Sequence, residues 1–165
     1  MIHAKLQAGE QAGTYVVAEP VTEADILSMA QSLARRRLAR GRIVNSPAQV
    51  YEALQTQLLD RGHEVFGLVY LDQRHRILAT EELFRGSVDG ASVHPREVVK
   101  QALARGAAAV ILFHNHPSGQ RTPSGADEAI TERLRQALEL IDVRVLDHVI
   151  VSAEGYTSLA EIGRL

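Results

Sequence analysis

The sequence predicts an α/β fold with a mixed central β-sheet flanked by helices. Three observations carry that prediction. Segments of strand and helix character alternate along the chain. Residues 107–113 form an uninterrupted apolar run of strand length, the mark of a central strand covered on both faces. Residues 64–71 (EVFGLVYL) form a second such run, β-branched and aromatic. At 165 residues, 45% of them apolar and 23% charged, the chain suits one domain with a substantial core.

Residues 1–42 read as an N-terminal appendage, a short strand plus a helix. Tyr15-Val16-Val17 is the strand. Thr22, with Asp25 three residues on, has capping-box spacing and opens a helix carrying Ile26, Met29, Ala30, Leu33 and Leu38. Gly41 is its natural stop. Ser46-Pro47 starts a second helix, an N-cap followed by proline at the first position, with Val50, Leu54 and Leu58 as its apolar stripe. The boundary with the compact domain, residues 43–165, therefore falls at 42–45. The strand at 64–71 turns at Asp72-Gln73 into another, running from Arg76 towards Phe84. Pro95 opens a short helix with Val98, Val99, Ala102 and Leu103 inward, and Gly106 ends it. After the central strand comes a polar loop, HNHPSGQRTPSG, where Ser118 and Gly119 shape a turn behind Pro117. A helix over 125–141, a strand over 143–151 and a short strand over 156–159 complete the order.

Composition narrows the chemistry. With no cysteine, disulfides and thiolate zinc sites are excluded, so any transition-metal site is built from imidazole and carboxylate. No apolar run approaches a membrane span, and the N-terminal MIHAKLQAGEQAG lacks the apolar centre of a signal peptide. The expected compartment is the cytoplasm, with no membrane partner. A net charge of −2 disfavours nucleic acid as the main partner, because such binding relies on neutralising phosphates. The run RRRLARGR, with Arg35, Arg36, Arg37, Arg40 and Arg42, is the local exception. It reads as a solvated helix end, where positive charge suits the dipole.

The sharpest chemical feature lies at the end of the central strand. His114 and His116 are two residues apart, which puts both rings on one face of an extended segment. A lone His-x-His is a weak signal, since two solvated rings in a polar loop would look the same. Asp127 changes the balance. In a helix starting near Ser124 the inward residues are Ile130, Leu134, Leu138 and Ile141, and their offsets place Asp127 in the same stripe. A carboxylate on a buried face must be paired, capped or bound to metal. The plain alternative is an acidic first-turn residue stabilised by the helix dipole. That alternative leaves unexplained why Asp127 faces inward, beside the loop bearing both histidines. Two histidines and one carboxylate make a ligand set for catalytic zinc. Such a site also needs a group to take a proton from water, and Glu64, Glu81 and Glu97 are equal candidates on residue patterns alone.

Glu64 in HEVFGLVYLD, then His114-Asn115-His116-Pro117-Ser118-Gly119, then Ser124-Gly125-Ala126-Asp127, resembles the JAMM (MPN-type) metalloprotease signature. That signature is a glutamate, a His-x-His, seven residues, a serine, two residues and an aspartate. GASVHPREVVKQAL and RVLDHVIV are similar to the RadC-like branch, and the resemblance covers about residues 43–165. It implies a central sheet flanked by helices, related to the cytidine-deaminase-like folds. It implies zinc on His114, His116 and Asp127, a water held against Glu64, and Ser124 donating a hydrogen bond to a developing oxyanion. The implied chemistry is hydrolysis of peptide or isopeptide bonds, with a peptide or protein as substrate.

Two departures qualify the resemblance. Residues 1–42 are too short and wrongly patterned for the helix-hairpin-helix module that many RadC-like proteins carry. Asn115 stands where deubiquitinating relatives have Ser or Thr, so ubiquitin-like substrates do not transfer. The alternative function is a nucleic-acid-associated module in DNA repair or plasmid maintenance, its zinc site structural or vestigial. A retained Glu64 and Ser124 favour the enzyme. Among the other histidines, His94 is expected to help cap the helix opened by Pro95 or to line the cleft. His148 reads as a satisfied structural histidine, and His3, His63 and His75 as surface residues.

Overall fold

The computed structural model of the protein describes residues 3–86 and 93–165; residues 90–92, at the head of GASVHPREVVKQAL, lie outside the described residues. The elements run β1 (Leu6–Ala8), β2 (Tyr15–Val17), α1 (Glu23–Arg37), α2 (Pro47–Leu58), β3 (Val65–Leu71), β4 (Ile77–Arg85), α3 (Pro95–Arg105), β5 (Ala109–Asn115), α4 (Gly125–Glu139), β6 (Arg144–Ser152) and β7 (Gly155–Ser158). No helix among the described residues is long and apolar enough to cross a membrane.

The sheet is mixed, with strand order β4-β3-β5-β6-β7. β5 occupies the middle, antiparallel to β3 and parallel to β6. Every residue of β3 and β5 is buried, as two-sided apolar runs require. Alternation along the strands divides the core in two. Val65, Val69, Leu71, Ala109, Ile111 and Phe113 face α2, packing with Val50, Tyr51, Leu54 and Leu58. Phe66, Leu68, Tyr70, Val110 and Leu112 face α3 and α4, packing with Val98, Ala102, Ile130, Leu134 and Leu138. The result is a three-layer sandwich, in which burying each Leu or Phe side chain contributes about 1.5–3 kcal/mol.

The N-terminal segment adds a two-stranded antiparallel hairpin, β1 with β2, of which only β2 is patterned as a strand in the sequence. Thr22 and Asp25 do form a reciprocal capping box at the start of α1. Ala34 and Leu38 join the core cluster that holds α2. Ile26, expected on that apolar stripe, is instead 54% exposed, because Met29, Ala34 and Leu38 are the buried residues at this end of the chain. α1 ends at Arg37, before Gly41, whose N–H donates to the Ile77 carbonyl at 2.7 Å.

Two further expectations need correction. Leu103 is 59% exposed. It lies about 100° round the helix from Ala102, which with Val98 supplies the buried face of α3. His94 is the N-cap of α3, yet its side chain makes no capping bond. The ring packs edge-on against Phe84, 6.1 Å between centroids. The arginine cluster is exposed, with Arg36 reaching Tyr15 and Arg37 reaching Glu52.

Candidate metal centre

Period-two alternation decides where the end of β5 points. Leu112 faces α4, so His114 does too, and its side chain is fully buried. The strand extends through His114 to Asn115, two residues beyond the apolar run. His116 follows immediately, its N–H donating to the Val151 carbonyl at 2.8 Å. The loop then turns back at Gly119, where φ is +89°, a conformation that favours glycine. That turn brings the Gln120 carbonyl to 2.7 Å from His116 Nδ1. A carbonyl only accepts, so Nδ1 carries a proton and Nε2 of His116 faces inward.

The third member comes from α4. Ser124 is its N-cap and Asp127 its third residue, joined in a second capping box with the same spacing as the first. Ser124 Oγ accepts from Asp127 N at 3.2 Å and donates to Asp127 Oδ2 at 2.7 Å; Ser124 N donates to the same oxygen. Asp127 is 2% exposed and shares the buried face of α4 with Ile130, Leu134 and Leu138. Ile141 lies past the end of that helix and packs against the same cluster.

These elements bring three ligand atoms together. His114 Nε2 lies 2.8 Å from His116 Nε2 and 3.1 Å from Asp127 Oδ1, and His116 Nε2 lies 3.5 Å from Asp127 Oδ2. A tetrahedral ion with bonds of about 2.0–2.1 Å needs ligand atoms about 3.4 Å apart, close to this spread. Two imidazole nitrogens aimed at each other beside a carboxylate also call for a cation between them. The donor set therefore fits a metal: His114, His116 and Asp127 form a group that could hold an ion.

The electrostatics agree. Burial alone would raise the pKa of Asp127, but the flanking His114 and His116, helped by Ser124 N–H, hold its carboxyl well below the ordinary range. Asp127 in turn raises the pKa of His116 against the effect of burial, and the Gln120 carbonyl and Glu64 add in the same direction. Glu64 itself lies outside the sheet. It is half-buried just before β3, and its carbonyl accepts from Gly86 N–H at 2.9 Å.

The RadC-like JAB domain family matches residues 44–164. The chain belongs to that family. It is 55% identical over 140 residues to a UPF0758 protein of Thioalkalivibrio sulfidiphilus, covering 85% of this chain and 62% of that one. It is 54% identical over 142 residues to a UPF0758 protein of Methylibium petroleiphilum, covering 86% and 64%. A third UPF0758 protein, of Nitrosococcus oceani, is 57% identical over 128 residues, covering 78% and 57%. The chain spans less than two thirds of the length of these relatives.

Three residues of this RadC-like domain reach the site without a signature position for the role they play. Asn115, between the two histidines, binds the backbone on both sides of Glu64. His148 of β6 touches His114: its Nε2 lies 2.8 Å from His114 Nδ1. Thr131, one helical turn beyond Asp127, lies 2.5 Å from His148 Nδ1. His148 is fully buried, and burial pushes its pKa well down. Thr131 was findable as a polar residue four positions after Asp127 on a buried stripe. For His148 the signal was the pair Asp147-His148 inside an apolar strand, where both faces are core.

Clefts follow a different pattern. A cavity of about 60 Å³ opens beside His116, with Leu58, Leu59 and Val151 on its apolar side and Gln55, Arg61 and Ser152 on its polar side. A larger one of about 440 Å³, between Gln31, Arg35, Asp60 and Glu82, contains none of the clustered residues.

Proposed function

We propose that this domain is a zinc-dependent hydrolase acting on peptide or isopeptide bonds. The observation that carries the reading is the convergence of His114 Nε2, His116 Nε2 and an Asp127 carboxylate, and Glu64 adds to the field that raises the pKa of His116. Catalytic zinc sites use three protein ligands and leave a fourth position open, and no fourth His, Asp or Glu joins this group among the described residues. Imidazole and carboxylate suit zinc among the available ions.

Held by His114, His116 and Asp127, zinc would supply Lewis-acid polarisation of the carbonyl and acidify a water. Glu64 accepts the proton of the attacking water and delivers it to the leaving nitrogen. A C–O bond forms, the C–N bond breaks, and the carboxylate ends as it began. Ser124 Oγ–H donates a hydrogen bond to the oxyanion, and to do so it gives up its hydrogen bond to Asp127 Oδ2.

The test combines metal analysis with cleavage of a peptide library by zinc-loaded protein. One zinc per chain, lost in the His114→Ala, His116→Ala and Asp127→Ala proteins, and cleavage that follows zinc content are the expected results. Full zinc content in His116→Ala would end the ligand assignment. A zinc-replete wild type that cleaves no library member would end the hydrolase reading.

A further inference from the structure

We infer that His148 is a positioning residue: with Thr131 it fixes a proton of His114 on Nδ1 and leaves Nε2, on the side of Asp127 and His116, as the nitrogen that takes the metal. The inference rests on the proposed metal site and assigns the part of it that the signature leaves out.

Hydrogen-bond counting carries it. Thr131 has one hydroxyl proton and two polar neighbours at 2.5 Å, the Asp127 carbonyl and His148 Nδ1. The carbonyl can only accept, so the hydroxyl donates to it. His148 Nδ1 must then be the donor to Thr131 Oγ1. For His114 to take a metal through Nε2, its ring proton must sit on Nδ1, which faces Nε2 of His148. His114 Nδ1, 2.8 Å away, therefore donates to it. With its proton held on Nδ1, His114 has Nε2, the atom that meets the other two ligands, left to take the metal.

The packing holds this relay in place. Phe66 stacks on His114 at 15° between planes and meets His148 edge-on at 5.4 Å. His148 reaches this face because β6 carries one extra residue. Val110 pairs with Val145 but Ile111 pairs with Asp147, so Leu146 is bulged out. Uninterrupted alternation from Val145 would have sent His148 to the α2 side; the bulge sends Asp147 there, where Tyr51 and Ser158 donate to it.

The two histidine ligands are thus oriented by different means. His116 is set by the Gln120 carbonyl, and His114 by a neutral imidazole where a carboxylate is the frequent partner. A neutral acceptor orients the ring without adding negative charge, and Asp127 remains the one anion among the three ligands.

Nitrogen-15 NMR of metal-free wild type reads the tautomer directly. A proton on His148 Nδ1 and a bare Nε2 are expected; a proton on Nε2 overturns the inference whether or not metal binds. Zinc affinity by chelator competition is the second readout. His148→Leu should weaken zinc binding about 10–100-fold. His148→Gln, whose amide oxygen can accept the same bond, should restore it to within a few-fold. Equal affinity in His148→Leu and wild type, or equal loss in the Leu and Gln variants, would reduce His148 to a packing residue. A wild type that takes up no zinc would sink the metal reading instead, while the tautomer measurement still decides the relay. If His148→Leu fails to fold, wild-type NMR and the Gln variant decide the matter.

Discussion

Asn115 closes the end of the β3–β5 ladder against Val65. Its Oδ1 accepts from Val65 N–H at 2.7 Å, and its Nδ2 donates to the His63 carbonyl at 3.0 Å. The last paired residues are Phe66 and His114, so beyond them a side chain supplies what backbone no longer can. His63 and Val65 flank Glu64, and Asn115 therefore ties the proposed base to the end of β5, between the two histidines. In Asn115→Ala the buried Val65 N–H loses its acceptor, which should cost about 1–3 kcal/mol of stability. Turnover should fall by up to about 100-fold through misplacement of Glu64, with zinc content unchanged. Denaturant titration, metal analysis and kcat on one preparation check all three.

Glu64→Gln separates a proton carrier from a ligand or a bystander. Glutamine keeps the shape of the side chain but cannot take a proton from water. Zinc and fold should be retained while turnover falls by about 10²–10⁴. An active variant would remove Glu64 from the mechanism, and a metal-free one would recast it as a ligand.

Ser124 holds two roles that substitution can split. As N-cap it supports α4, and replacement by alanine should cost about 0.5–2 kcal/mol, whereas glycine should cost a few tenths. As oxyanion donor it should matter equally in both variants, with a loss of about 10²–10³ in kcat. Thermal unfolding should therefore distinguish Ser124→Ala from Ser124→Gly, and kcat should not. Wild-type kcat in the glycine variant would leave Ser124 as a cap alone.

The metal-free site should show opposed pH dependences. His116, raised above 6.5, contributes stability that is fully present below about 6.5 and lost as pH rises through its folded value. Asp127, lowered below 3.8, contributes stability present above about 3.8 and lost as pH falls through its folded value. Their mutual stabilisation is therefore greatest between these two reference values. Zinc must displace the proton of His116, so its apparent affinity should rise with pH and level off once His116 is neutral. Calorimetric titration with zinc from about pH 5 to about pH 8, in buffers of different ionisation enthalpy, counts the released protons. Affinity independent of pH across this range would contradict the role of His116.

Gly67 marks a close approach rather than a turn. A Cβ there would sit 2.3 Å from the Glu81 carbonyl oxygen and 2.4 Å from the Phe113 ring. Gly67→Ala should destabilise the domain by about 1–3 kcal/mol, because backbone and a packed ring must both yield. The midpoint of chemical denaturation measures it.

What the sequence determined by itself is what short segments decide. The capping box of Thr22 and Asp25 is legible because its partners are three residues apart, and the same spacing joins Ser124 to Asp127. The inward face of Asp127 follows from helical period, and the shared direction of His114 and His116 from strand period. Helical period alone placed Ile26 and Leu103 wrongly, because which stripe is buried depends on the neighbour it meets. Glu64 was one of three equal glutamates until the family signature selected it.

Tertiary structure decided how these pieces meet. Strand register between β3 and β5 brings Asn115 to the backbone around Glu64, across about fifty residues of chain. A single extra residue in β6 turns His148 towards His114 and Asp147 towards Tyr51. Register and bulges arise from pairing between distant strands, and a one-residue slip exchanges the two faces of a strand. Local periodicity therefore finds the ends of β5 and α4, while only the assembled sheet determines which polar side chains stand behind them.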